Sequence, residues 1–424
     1  KAITPLQGIR DLVRPQGTVV YTAQGCELAE GIPLLQPVPS TCLRPARADA
    51  GQYGLNASYY PNARFEGAPA LSRVDAAVDF VWKGASPLGG RWGDPFSVRW
   101  TGTLVPPESG TYRLGMSAFT SFSLTLDGDE LARFQDEHHA RFSGQDVELE
   151  AGRHYDLAIE YTNQGLDPQA QLLWALLGEN HLIPALEAAE RAQTVVLVLG
   201  LTANLEGEEM PVHVPGFDGG DRTDLGLPAP QQELLEEVCA LGKPTVLVLM
   251  NGSALGVTWA DEHVPAIVEA WYPGQAGGTA LAEVLFGDVN PGGRLPVTFY
   301  KSTEDLPPFE DYAMEGHTYR YFRGEPLYAF GHGLSYTTFI YRNLRLSGKR
   351  LAPGDPLTVE VEVENTGARA GDEVVQVYLS DVEASVPVPI RQLVAFQRLH
   401  LKPGERRELS FVLTAEQFSL IDEA

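Results

Sequence analysis

The stretch Thr194-Val-Val-Leu-Val-Leu-Gly200-Leu-Thr-Ala-Asn-Leu-Glu206-Gly-Glu208-Glu209-Met210 carries two messages. Its first half is a continuous apolar run, the pattern of a strand covered on both faces of a sheet. Gly200 stops the run, and carboxylates follow at Glu206, Glu208 and Glu209. The next helix is expected only near Pro228, which leaves a loop of about 25 residues where a few are usual. Long loops at the carboxyl ends of parallel strands are where α/β domains place their chemistry. Clustered carboxylates in such a loop point to acid/base work.

Working outward, residues 182–336 alternate strands (194–199, 245–250, 266–271, 295–299) with helices (229–241, 277–286), which predicts an α/β domain. Residues 1–50 read as a helix opening at Thr4-Pro5, a short strand at 18–22 and a Pro-rich connector. One helix and one strand cannot fold alone, so this segment is expected beside the α/β domain. Residues 51–181 change to period-two alternation with turn signals such as Asp127-Gly128, the mark of an all-β sandwich or barrel inserted into that domain. Residues 337–424 return to β with Leu357-Thr-Val-Glu-Val-Glu-Val-Glu364 and a turn at Asn365-Thr-Gly367. This reads as an immunoglobulin-like or fibronectin-III-like sandwich without an evident last strand. The expected fold is multidomain, α/β plus all-β. The glycines of Gly274-Gln-Ala-Gly-Gly278 lack the spacing of a phosphate loop and are read as close helix packing.

A formal net charge of −25 over 424 residues disfavours nucleic acid and anionic membranes as partners. A neutral sugar is compatible with it. No apolar run approaches a membrane span, and no Cys/His spacing resembles a zinc site. Neither a metal nor a cofactor is expected. Three cysteines make no disulfide framework. Cys239 reads as a buried thiol, and Cys26 with Cys42 is open to bridging in an exported protein. The opening at Lys1 without Met reads as a mature or cleaved piece, with a secreted or periplasmic location favoured over a cytoplasmic one.

Several segments together resemble the C-terminal half of glycoside hydrolase family 3, of the β-glucosidase and β-xylosidase type. They are Ile3-Thr-Pro-Leu-Gln-Gly-Ile9, Leu205-Glu-Gly-Glu-Glu209, Asp221-Arg-Thr-Asp-Leu225 with Leu227-Pro-Ala-Pro-Gln231, Asn251-Gly-Ser253, Trp271-Tyr-Pro-Gly-Gln-Ala-Gly-Gly278, Phe286-Gly-Asp-Val-Asn-Pro-Gly-Gly-Arg-Leu-Pro296 and Tyr328-Ala-Phe-Gly-His-Gly-Leu-Ser-Tyr-Thr337. The inserted β region resembles a PA14 domain through Gly54-Leu-Asn-Ala-Ser-Tyr-Tyr60, Phe96-Ser-Val-Arg-Trp-Thr-Gly-Thr-Leu104 and Pro107-Glu-Ser-Gly-Thr-Tyr112. Arg391-Gln-Leu-Val-Ala-Phe396 and Leu401-Lys-Pro-Gly-Glu405 resemble the family's fibronectin-III-like domain.

The resemblance implies a retaining exo-β-glycosidase acting on an oligosaccharide or an aryl or alkyl β-glycoside, β-glucosidase ahead of β-xylosidase. It also implies an N-terminal TIM-type barrel carrying the Asp nucleophile, from the same gene or a separate chain, with no counterpart among these residues. A homodimer is compatible with it. Glu208 falls on the general acid/base position, with Glu206 and Glu209 as alternatives. Glu206 is expected to raise the pKa of Glu208 or to bind substrate. In much of the family Asp-Arg follows the Glu closely, whereas here Met210 to Gly220 intervene. Asp221 and Arg222 are expected to buttress the loop as a carboxylate–guanidinium pair. Tyr319 and Arg320, within Gly316-His-Thr-Tyr-Arg-Tyr-Phe322, are expected to contact substrate or orient the loop. The PA14-like insert is expected to restrict substrate length, with Trp92, Phe119 and Phe122 as candidate sugar-stacking aromatics. The competing reading is a non-catalytic carbohydrate-binding or scaffold protein of PA14 and fibronectin-like modules.

Overall fold

A computed structural model describes residues 2–46, 51–82, 86–89, 93–164 and 168–419, with backbone alone at 136–140. The chain divides into two compact units, Ile32–Asn180 and the remainder, Lys1–Gly31 with His181–Ala424.

In the second of these, the strands Val195–Gly200, Thr245–Met250 and Ala266–Glu269 form a parallel sheet in that order. Leu247, Val248 and Leu249 of the central strand are buried, as a strand covered on both faces requires. The helices Leu182–Arg191, Ala229–Ala240 and Gly277–Leu285 accompany it. The expected 266–271 strand stops at Glu269 because Trp271 takes a left-handed φ of 52°. The expected 295–299 strand is reduced to one bridge, Phe299 to Tyr328; Pro296 lacks a ladder N–H. The segment 18–22 joins no described strand. It is bounded by Gly17 and Gly25, both at positive φ, and stays a connector.

The helix Pro5–Val13 begins where Thr4 accepts a hydrogen bond from Gln7 N, with proline at its first position. It packs on Gly277–Leu285 by backbone. Ile3 N donates to Gln275 O (2.9 Å) and Gly278 N to Ile3 O (3.0 Å). A Cβ on Gly278 would lie 2.0 Å from Thr4 O. Of the glycines in 274–278, Gly278 thus serves close helix packing, whereas a Cβ on Gly274 would meet open space.

Ile32–Asn180 is a ten-stranded antiparallel assembly. The long strands Gly110–Leu126 and Asp129–Leu149 meet at Asp127-Gly128, whose φ values of 52° and 90° suit a two-residue hairpin. Alternation along Gly110–Leu126 sends Leu114, Met116, Phe122 and Leu124 inward, onto Trp100, Tyr59 and Tyr161. The Pro-rich connector belongs to this unit, because Gln36–Pro37 and Leu43–Pro45 both pair into its sheet. Cys26, Cys42 and Cys239 are free thiols, so the bridge left open for the first two is not formed.

Toward the C-terminus, Phe339–Leu346, Leu357–Asn365 and Arg406–Leu413 form one sheet and Gly371–Leu379 with Gln392–Leu401 another. Val359, Val361, Val363, Val375, Leu401 and Phe411 build their core. Asn365 is fully buried and spends its amide on Arg369 O and Leu401 O, while its oxygen accepts from Thr337 and Gly367. That pinning makes Asn365-Thr-Gly367 the turn its residues predict.

Candidate active site

The carboxylate loop begins at Gly200, which only glycine suits. Its φ is 135°, and a Cβ there would meet Met250 O at 2.1 Å. The buried amide of Gln231 clamps both of its backbone groups, accepting from Gly200 N (2.7 Å) and donating to Gly200 O (2.8 Å). The same Nε2 reaches Leu28 O at 2.7 Å. Buried Leu205 and Phe217 anchor the loop. The inserted residues fold back as a small ladder that ends on Asp221-Arg222, His213–Val214 with Phe217–Asp218 and Phe217–Asp218 with Asp221–Arg222. Met210 N donates to Gly219 O (2.9 Å), closing its base. The insertion is therefore looped out, and Arg222 returns beside Glu206.

Glu206 is held on both oxygens. Oε1 accepts from Gly252 N (2.8 Å) and the Tyr272 hydroxyl (2.5 Å), and Oε2 from Ser253 Oγ (2.6 Å). The donors come from the ends of two neighbouring strands, so the loop is latched across the sheet's carboxyl edge. Burial, followed by the hydrogen bond to Glu206, pushes the Tyr272 phenol well above its ordinary range, which keeps it a donor.

Arg222 turns its guanidinium inward, donating to Ser253 Oγ (3.1 Å), Ala254 O (2.8 Å) and Gly226 O (3.3 Å). Burial lowers its pKa, opposed by the nearby charge of Glu206. Its Nε is buried without a partner among the described residues. The expected Asp221–Arg222 pair does not form. The two are adjacent in a strand and their side chains leave on opposite faces; Asp221 is exposed.

Behind this latch lies Glu269, which sequence reasoning missed. It closes an otherwise apolar strand, Ala266–Glu269, and no spacing marks it. Its Oε1 accepts from Trp271 N (3.0 Å) and its Oε2 from Asn251 Nδ2 (3.4 Å). Burial lifts its pKa to about 7 against those two hydrogen bonds.

Glu208 and Glu209 are exposed, and Glu209 takes a left-handed φ of 52°. Glu208 makes no hydrogen bond or ion pair with another described side chain. Glu206, Asp221, Arg222, Ser253, Thr298 and Tyr300 line a cleft of about 380 Å³. A second cavity of about 500 Å³ shares Ser253 and runs past Gly252, Trp271 and Val297. Tyr319 and the backbone of Arg320 contact segments further along the chain. Tyr319 stacks on Phe330 at 4.1 Å, and its hydroxyl accepts from Leu393 N at 3.1 Å. Arg320 O accepts from Ile390 N at 2.6 Å. They join the α/β part to the start of the strand Gln392–Leu401. Phe122 is a core residue, Phe119 is half-buried, and Trp92 lies outside the described residues. Among the described residues no group of three or more His, Cys, Asp or Glu side chains is placed to hold a metal.

Residues 1–336 match the Glycosyl hydrolase family 3 C-terminal domain and residues 373–424 the Fibronectin type III-like domain. The chain is 32% identical over 437 residues to a xylan 1,4-beta-xylosidase of Xylanibacter ruminicola, covering 99% of this chain and 48% of that one. It is 40% identical over 244 residues to a periplasmic beta-glucosidase of Salmonella typhimurium, covering 55% and 31%. Among solved structures it is similar to the beta-glucosidase from Kluyveromyces marxianus in complex with glucose. There the TM-score is 0.63 and the identity 27%, over 97% of this chain and 50% of that one. The chain spans about half or less of the length of these relatives. Over the 336 residues that contain the parallel sheet and its carboxylate loop, and in the β segment that follows, the chain belongs to glycoside hydrolase family 3.

Proposed function

We propose that this chain supplies the proton-donor half of a retaining exo-β-glycosidase site, with Glu208 as the general acid/base. One observation carries the reading. Glu206 is committed as an acceptor on both oxygens, while Glu208, two residues on, is exposed and bonded to no described side chain. Glu206 is then the latch and Glu208 the working carboxyl. Retention needs two carboxyl groups about 5–5.5 Å apart, one attacking the anomeric carbon and one protonating the leaving oxygen. In this reading the attacking Asp belongs to a barrel domain outside the chain, and Glu208 gives its proton to the leaving oxygen, then takes one from water. Covering by substrate and barrel would favour the protonated acid when substrate arrives. The names of the relatives support β-glucosides as substrates, with β-xylosides second. A periplasmic relative supports a secreted or periplasmic location. No helix among the described residues is long and apolar enough to cross a membrane. The proposal extends to Ile32–Asn180 as a PA14-like module that restricts substrate length, a reading that rests on its sequence resemblance.

The test is Glu208→Gln in the enzyme assembled with its barrel. Turnover of glycosides with poor leaving groups should fall by about a hundredfold or more, and that of activated aryl glycosides much less. Equal loss on both would remove Glu208 from the acid role.

A further inference from the structure

We propose that Glu269 is a positioning residue for the acid/base loop, tying together the Asn251 turn and the Trp271 bend whose donors hold Glu206. The inference rests on the reading of that loop given above. Glu269 ends the strand Ala266–Glu269, and its two oxygens go to two different segments. One accepts from Trp271 N (3.0 Å) and the other from Asn251 Nδ2 (3.4 Å). Asn251 is fully buried, and its Nδ2 also donates to Ser253 O at 2.8 Å. Gly252 N and Ser253 Oγ, the next donors along that turn, bind Glu206. Tyr272, which follows Trp271, binds Glu206 from the other side. One carboxylate therefore braces both jaws of the Glu206 latch.

Two further observations set Glu269 apart from ordinary packing. Trp271 holds a φ of 52°, a conformation a bulky aromatic residue adopts only where its surroundings impose it. The hydrogen bond to Glu269 is the described contact that fixes its amide. Glu269 itself is kept in a site that penalises its charge, and no Lys or Arg among the described residues pairs with it. What Glu269 contributes there is its two hydrogen bonds, since no ion pair offsets the burial of its charge.

The experiment compares wild type with Glu269→Gln in the assembled enzyme, by hydrogen exchange of the Gly252 amide and by steady-state kinetics on an aryl β-glucoside and an aryl β-xyloside. The expected result is about tenfold faster exchange at Gly252 and about tenfold lower kcat with KM within twofold. Melting temperature at pH 7.5 should not fall. Unchanged Gly252 exchange overturns the proposal, as does faster exchange with kcat intact. A fall in KM-independent activity that merely tracks a lower melting temperature also overturns it. If the Gln variant does not fold, Glu269→Asp, which keeps the charge and shortens its reach, takes the same readouts against the same criteria. Glu208→Gln run alongside separates the two readings: its full activity would sink the acid assignment, while Gly252 exchange still decides the role of Glu269.

Discussion

Tyr272 and Glu206 stand 66 residues apart in the chain and share a hydrogen bond of 2.5 Å. The phenol follows the third strand of the parallel sheet, and the carboxylate follows the first. With Ser253 from the end of the central strand, they form a latch that spans the sheet. A loop of this length would otherwise sample many conformations, and each donor removes part of that freedom.

Tyr272→Phe and Ser253→Ala each remove one donor and leave Gly252 N in place. We expect kcat to fall by about tenfold in each, with small changes in KM, and stability by about 0.5–1.5 kcal/mol. Steady-state kinetics and urea unfolding measure both. Wild-type turnover in the two variants would show that the latch does not serve catalysis.

The helix contact at Gly278 gives a prediction about stability alone. An added methyl would lie 2.0 Å from Thr4 O and 2.6 Å from Ile3 O, both backbone atoms. Gly278→Ala must therefore displace the Pro5–Val13 helix and weaken the two backbone hydrogen bonds beside it. The expected cost is about 1–3 kcal/mol, read by thermal or urea unfolding. A neutral effect would mean that the N-terminal helix is held by other contacts.

Glu269 makes stability depend on pH in a defined direction. Its pKa in the folded chain, about 7, lies above the ordinary 4.5. The folded state holds this proton more tightly than the unfolded state does. The contribution is therefore largest below the unfolded value and is lost as pH rises to about 7. Glu269→Gln cannot titrate, so its stability relative to wild type should rise by about 1–3 kcal/mol between pH 5 and 7.5. Urea unfolding at the two pH values checks this. A difference that does not change with pH would mean that the carboxyl remains hydrated.

Much of this architecture is legible in the residues because the signals are local. Continuous apolar runs mark the strands at Val195 and Thr245, Asp127-Gly128 marks the hairpin, and strict alternation marks Leu357–Asn365. The Leu205–Glu209 motif locates the loop. The latch is less legible because its donors arrive from two segments far from Glu206 in the chain. Gly252 contributes a backbone N–H, which no side-chain pattern reports, and Glu269 hides at the end of an apolar strand. Tyr319 and Arg320 stand in a distinctive motif, but the stack of Tyr319 on Phe330 is not written in it, because the fold brings that partner in. The connector at Gln36 and Leu43 reads as Pro-rich loop, and only pairing with distant strands makes it part of a sheet.

Removal of Ile32–Asn180 tests the role of the inserted unit without dismantling its host. The core of that unit runs from Val38 to Trp174, and all its members lie inside the excised segment. The parallel sheet, by contrast, is built wholly from residues after His181. Joining Gly31 to His181 through a short Gly/Ser linker should therefore leave the remainder folded, with the Gln231 clamp on Leu28 and Gly200 intact. Exchange protection at Gly200 reports that directly. If the insert restricts substrate length, the assembled enzyme lacking it should gain at least severalfold in kcat/KM on tri- and tetrasaccharides, with kcat/KM on aryl glycosides within about twofold of wild type. A chain-length profile identical to wild type, in a variant that retains Gly200 protection, would refute the restriction. Loss of activity on the aryl glycoside as well would instead assign the unit to the shared sugar-binding step.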